Sequence, residues 1–200
     1  MSFRKEEKLH VSRTKLFNLL DWIYQNDGHK LYDTRAVSST YLDNDQMQMF
    51  HDSEEGTVPR KKIRVRSYNN QEHKATQSSL EIKVSSVEGR YKTIRKNFDL
   101  GKIMTNGFLD KNYGICKPKI RVNYKRSYYK VHGVRLTIDK NIEYIKTNSH
   151  GKGTFKRFEP DIIVEIKAGD FVPIEYLYKK FHFERVRFSK YSRAINSFLA

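Results

Sequence analysis

Apolar and polar residues alternate in short runs along much of the chain, and a period of two predicts β-strands. Ile63 and Val65 alternate with Arg64 and Arg66, and Leu80, Ile82 and Val84 with Glu81 and Lys83. Val134, Leu136 and Ile138 alternate with Arg135, Thr137 and Asp139, and Ile162, Val164 and Ile166 with Glu165 and Lys167. Strands are expected at 3–11, 37–43, 63–68, 79–85, 91–98, 119–129, 134–142 and 161–168. Glu88-Gly89 and His132-Gly133 supply turns. A helical period appears at 13–25, where Ser12 can cap the N-terminus and Leu16, Leu19, Leu20 and Ile23 share a face. Short helices are expected at 100–112, at 174–182 behind Pro173, and at 189–199. The polar stretch 44–60, with its acidic run Asp52 to Glu55, reads as a connection, and the basic 146–158 as a glycine-containing loop. About eight strands joined mostly by short turns give an α+β fold, an eight-stranded, mainly antiparallel β-sheet flanked by helices. The 200 residues are expected to form one domain, 1–200.

Charge changes this picture. The formal net charge is +16, so an anionic partner is expected. Twelve Phe and thirteen Tyr argue for a folded core despite 31% charged residues. A single cysteine, Cys116, cannot make an internal disulfide, which suits a reducing cytoplasm. It reads as a partly buried small residue. The histidines show no zinc-ligand spacing. No run of about 18 apolar residues predicts a membrane span, and no secretory leader is visible.

The informative feature is where the charges fall. A solvated strand face usually mixes Ser, Thr and Gln with charge, whereas these four strands carry Arg, Lys, Glu or Asp at nearly every polar position. A closed or nearly closed sheet with a charged interior and an apolar outer face covered by helices accounts for this. Cations crowded in such an interior repel one another until a polyanion fills it. Arg binds phosphate oxygens in pairs and Lys acts as a point charge. Carboxylates among the cations suit a hard divalent metal.

The motifs resemble the triphosphate tunnel (CYTH-like) superfamily, and within it the polyphosphate polymerase domain of the vacuolar transporter chaperone family, the VTC domain. Arg4-Lys5-Glu6-Glu7-Lys8 resembles its R-x-E-x-K opening, Ser39-Thr40-Tyr41-Leu42-Asp43 its S-x-Y-F-D strand, and Arg64-Val65-Arg66 the arginines of K-x-R-x-R-x-Y. Leu80 to Lys83 resembles L-E-x-K, Tyr124-Lys125-Arg126 Y-x-R, Arg135 to Asp139 R-x-T-x-D, Glu165-Ile166-Lys167 E-x-K, and Phe188 to Tyr191 F-S-K-Y. The resemblance runs from Arg4 to about Ala194. It implies an eight-stranded tunnel with Lys8, Arg64, Arg66, Lys83, Arg126, Arg135 and Lys190 as phosphate ligands that carry catalysis. Tyr124, Ser189, Lys167 and Lys92 would add substrate contacts, with Arg95 competing with Lys92. Glu165 would hold Mn²⁺ or Mg²⁺, with Glu6, Glu81 or Asp139 nearby.

The implied activity is an ATP-dependent transferase that extends inorganic polyphosphate. Eukaryotic members carry a phosphate-sensing domain in front and membrane spans behind. These 200 residues contain neither, so translocation would need a separate membrane partner. The related triphosphatases open with E-x-E-x-K; Arg4 replaces the first acid, which favours transfer over hydrolysis. The alternatives are a tunnel triphosphatase and a non-enzymatic binder of polyphosphate or nucleic acid. The latter would use the 146–158 segment and the Tyr128-Tyr129 pair, but inward-facing charges disfavour it. His150 to Gly153 only superficially suggests a phosphate loop.

Overall fold

A computed structural model describes residues 4–69, 77–148, 152–169, 171–182 and 184–199. Eleven strands and five helices follow in chain order: β1 (Arg4–Val11), α1 (Arg13–Gln25), β2 (His29–Asp43), α2 (Gln48–Glu55), β3 (Arg60–Asn69), β4 (Gln77–Ser86), β5 (Gly89–Arg95), α3 (Leu100–Asn106), β6 (Phe108–Asp110), β7 (Gly114–Val131), β8 (Val134–Thr147), β9 (Gly153–Phe158), β10 (Ile162–Gly169), α4 (Glu175–Phe181), β11 (Glu184–Arg185) and α5 (Lys190–Leu199). The strand pairings within each unit are antiparallel. The fold is α+β, as expected, with eleven strands among the described residues in place of eight. The extra ones are short or lie in polar sequence, where alternation gives no signal.

The residues fall into two compact units. The first comprises Met1–Arg35, Tyr124–Ile142 and Glu159–Phe188, and the second Ala36–Asn123, Glu143–Phe158 and Ser189–Ala200. The long strands β2, β7 and β8 contribute a portion to each.

In the first unit the strand order includes β11-β1-β10-β8. Ser12 Oγ accepts from the Lys15 amide at 3.3 Å, and α1 starts where that cap directs. Its buried face, Leu16, Leu19, Trp22 and Ile23, packs on Leu9, Val11, Val134, Leu136, Ile138, Val164, Ile166 and Ala168, joined by Ile174 just before α4 and Leu177 within it. The apolar parity of β1, β8 and β10 is thus consumed by helices. The other faces of these strands keep the charges.

In the second unit the order is β2-β3-β4-β5, with β6 on β7 and β9 on β8. Three segments depart from expectation: of the helix expected at 100–112 only α3 forms, closed at Gly107, and 108–110 are strand β6. The 44–60 connection contains α2, so Asp52 to Glu55 is helical rather than a solvated turn, and Ser53 is buried. The residue before α2, Met47, offers no side-chain cap. Asp43 supplies it: its carboxylate accepts from the amides of Met49 (3.1 Å) and Phe50 (3.0 Å), and from the Tyr191 hydroxyl of α5 at 2.6 Å. The 146–158 segment is likewise no simple loop, because 153–158 forms β9 against the end of β8. Residues 149–151 of that segment lie outside the described residues, as does most of the connection between β3 and β4. Cys116 is fully buried, and burial, with Asp43 and Asp110 nearby, pushes its thiol up to about 12. No described helix is long and apolar enough to cross a membrane.

Candidate phosphate-binding site

The charged residues singled out by parity fall into two groups, one in each unit. In the first unit, register stacks them in rows on one face: directly opposed strand residues point the same way. Glu6, Lys167 and Arg135 form one row across β1, β10 and β8; Lys8, Glu165 and Thr137 form the next. His10, Ile163 and Asp139 follow. Lys167 Nζ lies 2.8 Å from Glu165 Oε1 and 3.3 Å from Glu6 Oε2. Lys8 Nζ donates to the Phe188 carbonyl at 2.7 Å. Arg126 of β7 grips Asp139 with two bonds, Nε to Oδ1 at 2.6 Å and Nη2 to Oδ2 at 2.7 Å, with its guanidinium 5.2 Å from the Tyr124 ring centre. Burial by itself would lower the Arg126 pKa, but Asp139 carries it well above its ordinary value. Burial also works against an ionised Glu165, yet Lys167, then Arg126 and Lys8, hold it at about 2.

In the second unit the centre is Glu81, 3% exposed. Arg64 Nε donates to its Oε2 at 2.7 Å, Lys92 Nζ to its Oε1 at 2.8 Å, and Arg66 Nη1 lies 3.6 Å away. Burial opposes its charge, but Arg64, Arg66 and Lys92 together bring its pKa to about 2. Next to it, Lys62, Lys83 and Lys92 stand directly opposite one another across β3, β4 and β5. Like charges so placed destabilise a sheet. Lys62 Nζ donates to Ser189 Oγ at 2.8 Å, and Lys190 follows at the start of α5. Lys92 shares the Glu81 face. Arg95 opposes Leu80 on the other face and sits 5.9 Å from the Phe108 ring centre, so it does not compete with Lys92.

Two residues of this group were not singled out in the sequence. Lys62 has the same parity as Arg64 and Arg66, and extending the alternation by one step finds it. Tyr41 is buried, stacks on Tyr191 at 5.1 Å and accepts from Arg64 Nη1 at 3.1 Å. Burial would raise its pKa, but Arg64, Arg66 and Lys190 prevail and pull it to about 8. No sequence signal gives that environment.

Of the four carboxylates considered for a metal, Glu6, Glu165 and Asp139 lie in the first unit. Glu81 belongs to the second unit and is held by Arg64 and Lys92, while Asp139 has both oxygens taken by Arg126. Glu6 and Glu165 converge on one ammonium. Among the described residues no three Asp, Glu, His or Cys side chains group closely enough to hold a metal by themselves. The Tyr128-Tyr129 pair considered for nucleic acid is split: Tyr129 is buried and packs edge-on to Tyr24, whereas Tyr128 meets Tyr32 and Arg35.

Both central glutamates have folded-state pKa values below the ordinary 4.5. Their contribution to stability is complete above the unfolded value and is lost as pH falls toward about 2. Melting temperature is therefore expected to decline below about pH 5, and Glu165→Gln to decline less steeply. Calorimetry from pH 7 to 3 checks this, and equal acid slopes in the two proteins would contradict it.

The sequence profile of the VTC domain matches residues 3–114 and 107–199. No curated protein matches the chain. Among solved structures, a candidate adenylate cyclase from Vibrio parahaemolyticus is 16% identical, with a TM-score of 0.57 over 98% of both chains. At that identity it shows a shared fold. An RNA triphosphatase from S. pombe, Pct1, solved with the Spt5 CTD, is 9% identical over 91% of this chain and 68% of its own, with a TM-score of 0.33, too low to carry an argument.

Proposed function

The chain belongs to the VTC-domain family and has the antiparallel, helix-flanked sheet of the triphosphate tunnel class; from that premise we propose that it is a polyphosphate polymerase. It would transfer the γ-phosphate of ATP to the end of an inorganic polyphosphate chain. The observation that carries the reading is the opposed row Lys62, Lys83 and Lys92 beside Arg64 and Arg66. Three lysines at adjacent positions favour an anion with several oxygens, which a phosphate chain supplies.

Arg64, Arg66, Lys83 and Lys190 in the second unit, and Lys8, Arg126, Arg135 and Lys167 in the first, are the proposed phosphate contacts, with Tyr124, Ser189 and Lys92 beside them. A terminal phosphate oxygen forms a bond to the γ-phosphorus and the bond to the ADP oxygen breaks. The protein's task is positioning and charge stabilisation, with no covalent intermediate required. Mn²⁺ or Mg²⁺ fits Glu165 with Glu6, because such ions use one or two carboxylates and complete their shell with phosphate oxygens and water. When bound, the metal would neutralise charge on those oxygens. Lys167 would then release the carboxylates and turn to the phosphate.

Incubating purified protein with ATP and Mn²⁺, with a polyphosphate-stained gel and a free-phosphate assay, tests the reading. Polymer is expected from wild type, reduced about a hundredfold or more in Lys83→Ala and Glu165→Ala. Phosphate without polymer would identify a triphosphatase, and neither product a binding module.

A further inference from the structure

Among the described residues of the first unit, two buried side-chain oxygens have no hydrogen-bond partner, Tyr176 Oη and Thr137 Oγ1, and of the two only Thr137 lies among the strand charges. The Thr137 residue is 3% exposed, and its Oγ1 has no hydrogen-bond partner among the described residues. Buried polar groups are normally paired, and an unpaired one lowers stability. The position does not need a hydroxyl for packing. Ile163, in the next row on the same face, is buried too and is wholly apolar. Valine would have the same shape as threonine without the unpaired oxygen. Leu136 and Ile138, on either side, already serve the core beneath α1.

Register tells what the hydroxyl stands beside. Thr137 directly opposes Glu165, and Glu165 directly opposes Lys8. Arg135 lies two residues before it, opposite Lys167, and Asp139 two residues after it, held by Arg126. Glu165, Lys167 and Asp139 thus have charged partners, while the neutral hydroxyl among them has none among the described residues. Threonine is β-branched, so its side chain is restricted in rotation and held ready.

We propose that Thr137 is a substrate-contacting residue whose hydroxyl donates to an oxygen of a phosphate chain bound along the Lys8–Glu165 row. This rests on the reading of the first unit as a phosphate site. The hydroxyl is left unpaired in the empty protein and paired in the filled one, so part of the binding free energy is held in reserve until the anion arrives.

Isothermal titration of the full chain with inorganic tripolyphosphate and Mg²⁺ tests it, beside melts without ligand, on wild type, Thr137→Val and Thr137→Ser. Thr137→Val is expected to melt at or above the wild-type temperature, yet to bind about tenfold more weakly. Thr137→Ser restores the affinity. Wild-type affinity in Thr137→Val overturns the inference and leaves the phosphate-site reading standing. Failure of wild type to bind tripolyphosphate overturns both. Loss of affinity together with a lowered melting temperature, unrepaired by serine, assigns the side chain to packing and also overturns the inference.

Discussion

Replacing Glu81 by alanine is expected to destabilise the protein by about 3–5 kcal/mol, the usual cost of breaking a buried ion pair from one side. Glu81 is nearly inaccessible and is the carboxylate on which Arg64, Arg66 and Lys92 converge. Its removal takes away the carboxylate shared by these cations, which stand beside the Lys62–Lys83–Lys92 row. Polyanion should therefore rescue the variant. Tripolyphosphate at a hundred times its Kd adds about 2.7 kcal/mol to a protein that binds it only when folded. Thermal melts with and without tripolyphosphate read both effects. A Glu81→Ala protein that melts like wild type would show that solvent already screens the cluster. One that is destabilised but gains nothing from the anion would count against a phosphate seat here.

Arg126→Ala is expected to cost a similar 3–5 kcal/mol, for the mirrored reason. Asp139 is 1% exposed, and both its oxygens are held by that guanidinium. Arg126→Lys keeps the charge but cannot span both oxygens, so an intermediate loss is expected. The Arg126→Ala/Asp139→Ala double variant should recover part of the stability, because no buried charge is then left alone. The same proteins decide what the pair is for. If Arg126 contacts phosphate, the double variant regains stability without regaining tripolyphosphate affinity. Wild-type affinity in the double variant would make the pair purely structural.

Family membership is the premise of the functional reading, and the charge pattern is its independent support. The organised charges share strand faces within each unit, and each central glutamate is ionised far below its ordinary range by cations around it. Transfer to a phosphate chain and transfer to water would use the same cradle and differ in the acceptor. The acceptor is the variable that the product assay measures.

Much of this was readable locally. The period of two assigned Arg64, Arg66, Glu81, Lys83, Glu165 and Lys167 to faces opposite the core, since side-chain direction in a strand depends only on position along it. Ser12 fixed the start of α1 for the same reason: the capping hydroxyl and the amide it satisfies are three residues apart. The order of the family's motifs was likewise written in the chain. What tertiary structure alone decided was which groups meet. Helix α2 escaped notice because its cap, Asp43, is a strand residue that also holds the Tyr191 hydroxyl of α5, 148 positions away. Strand β9 formed in a basic segment because the end of β8 offered it a hydrogen-bonding edge. The resemblance placed Glu81 only near a metal held by Glu165; that Arg64 reaches it from one side and Lys92 from the other follows from β4 lying between β3 and β5. Faces follow from the local geometry of a strand; counter-charges follow from strand order, which depends on contacts between residues far apart in the chain.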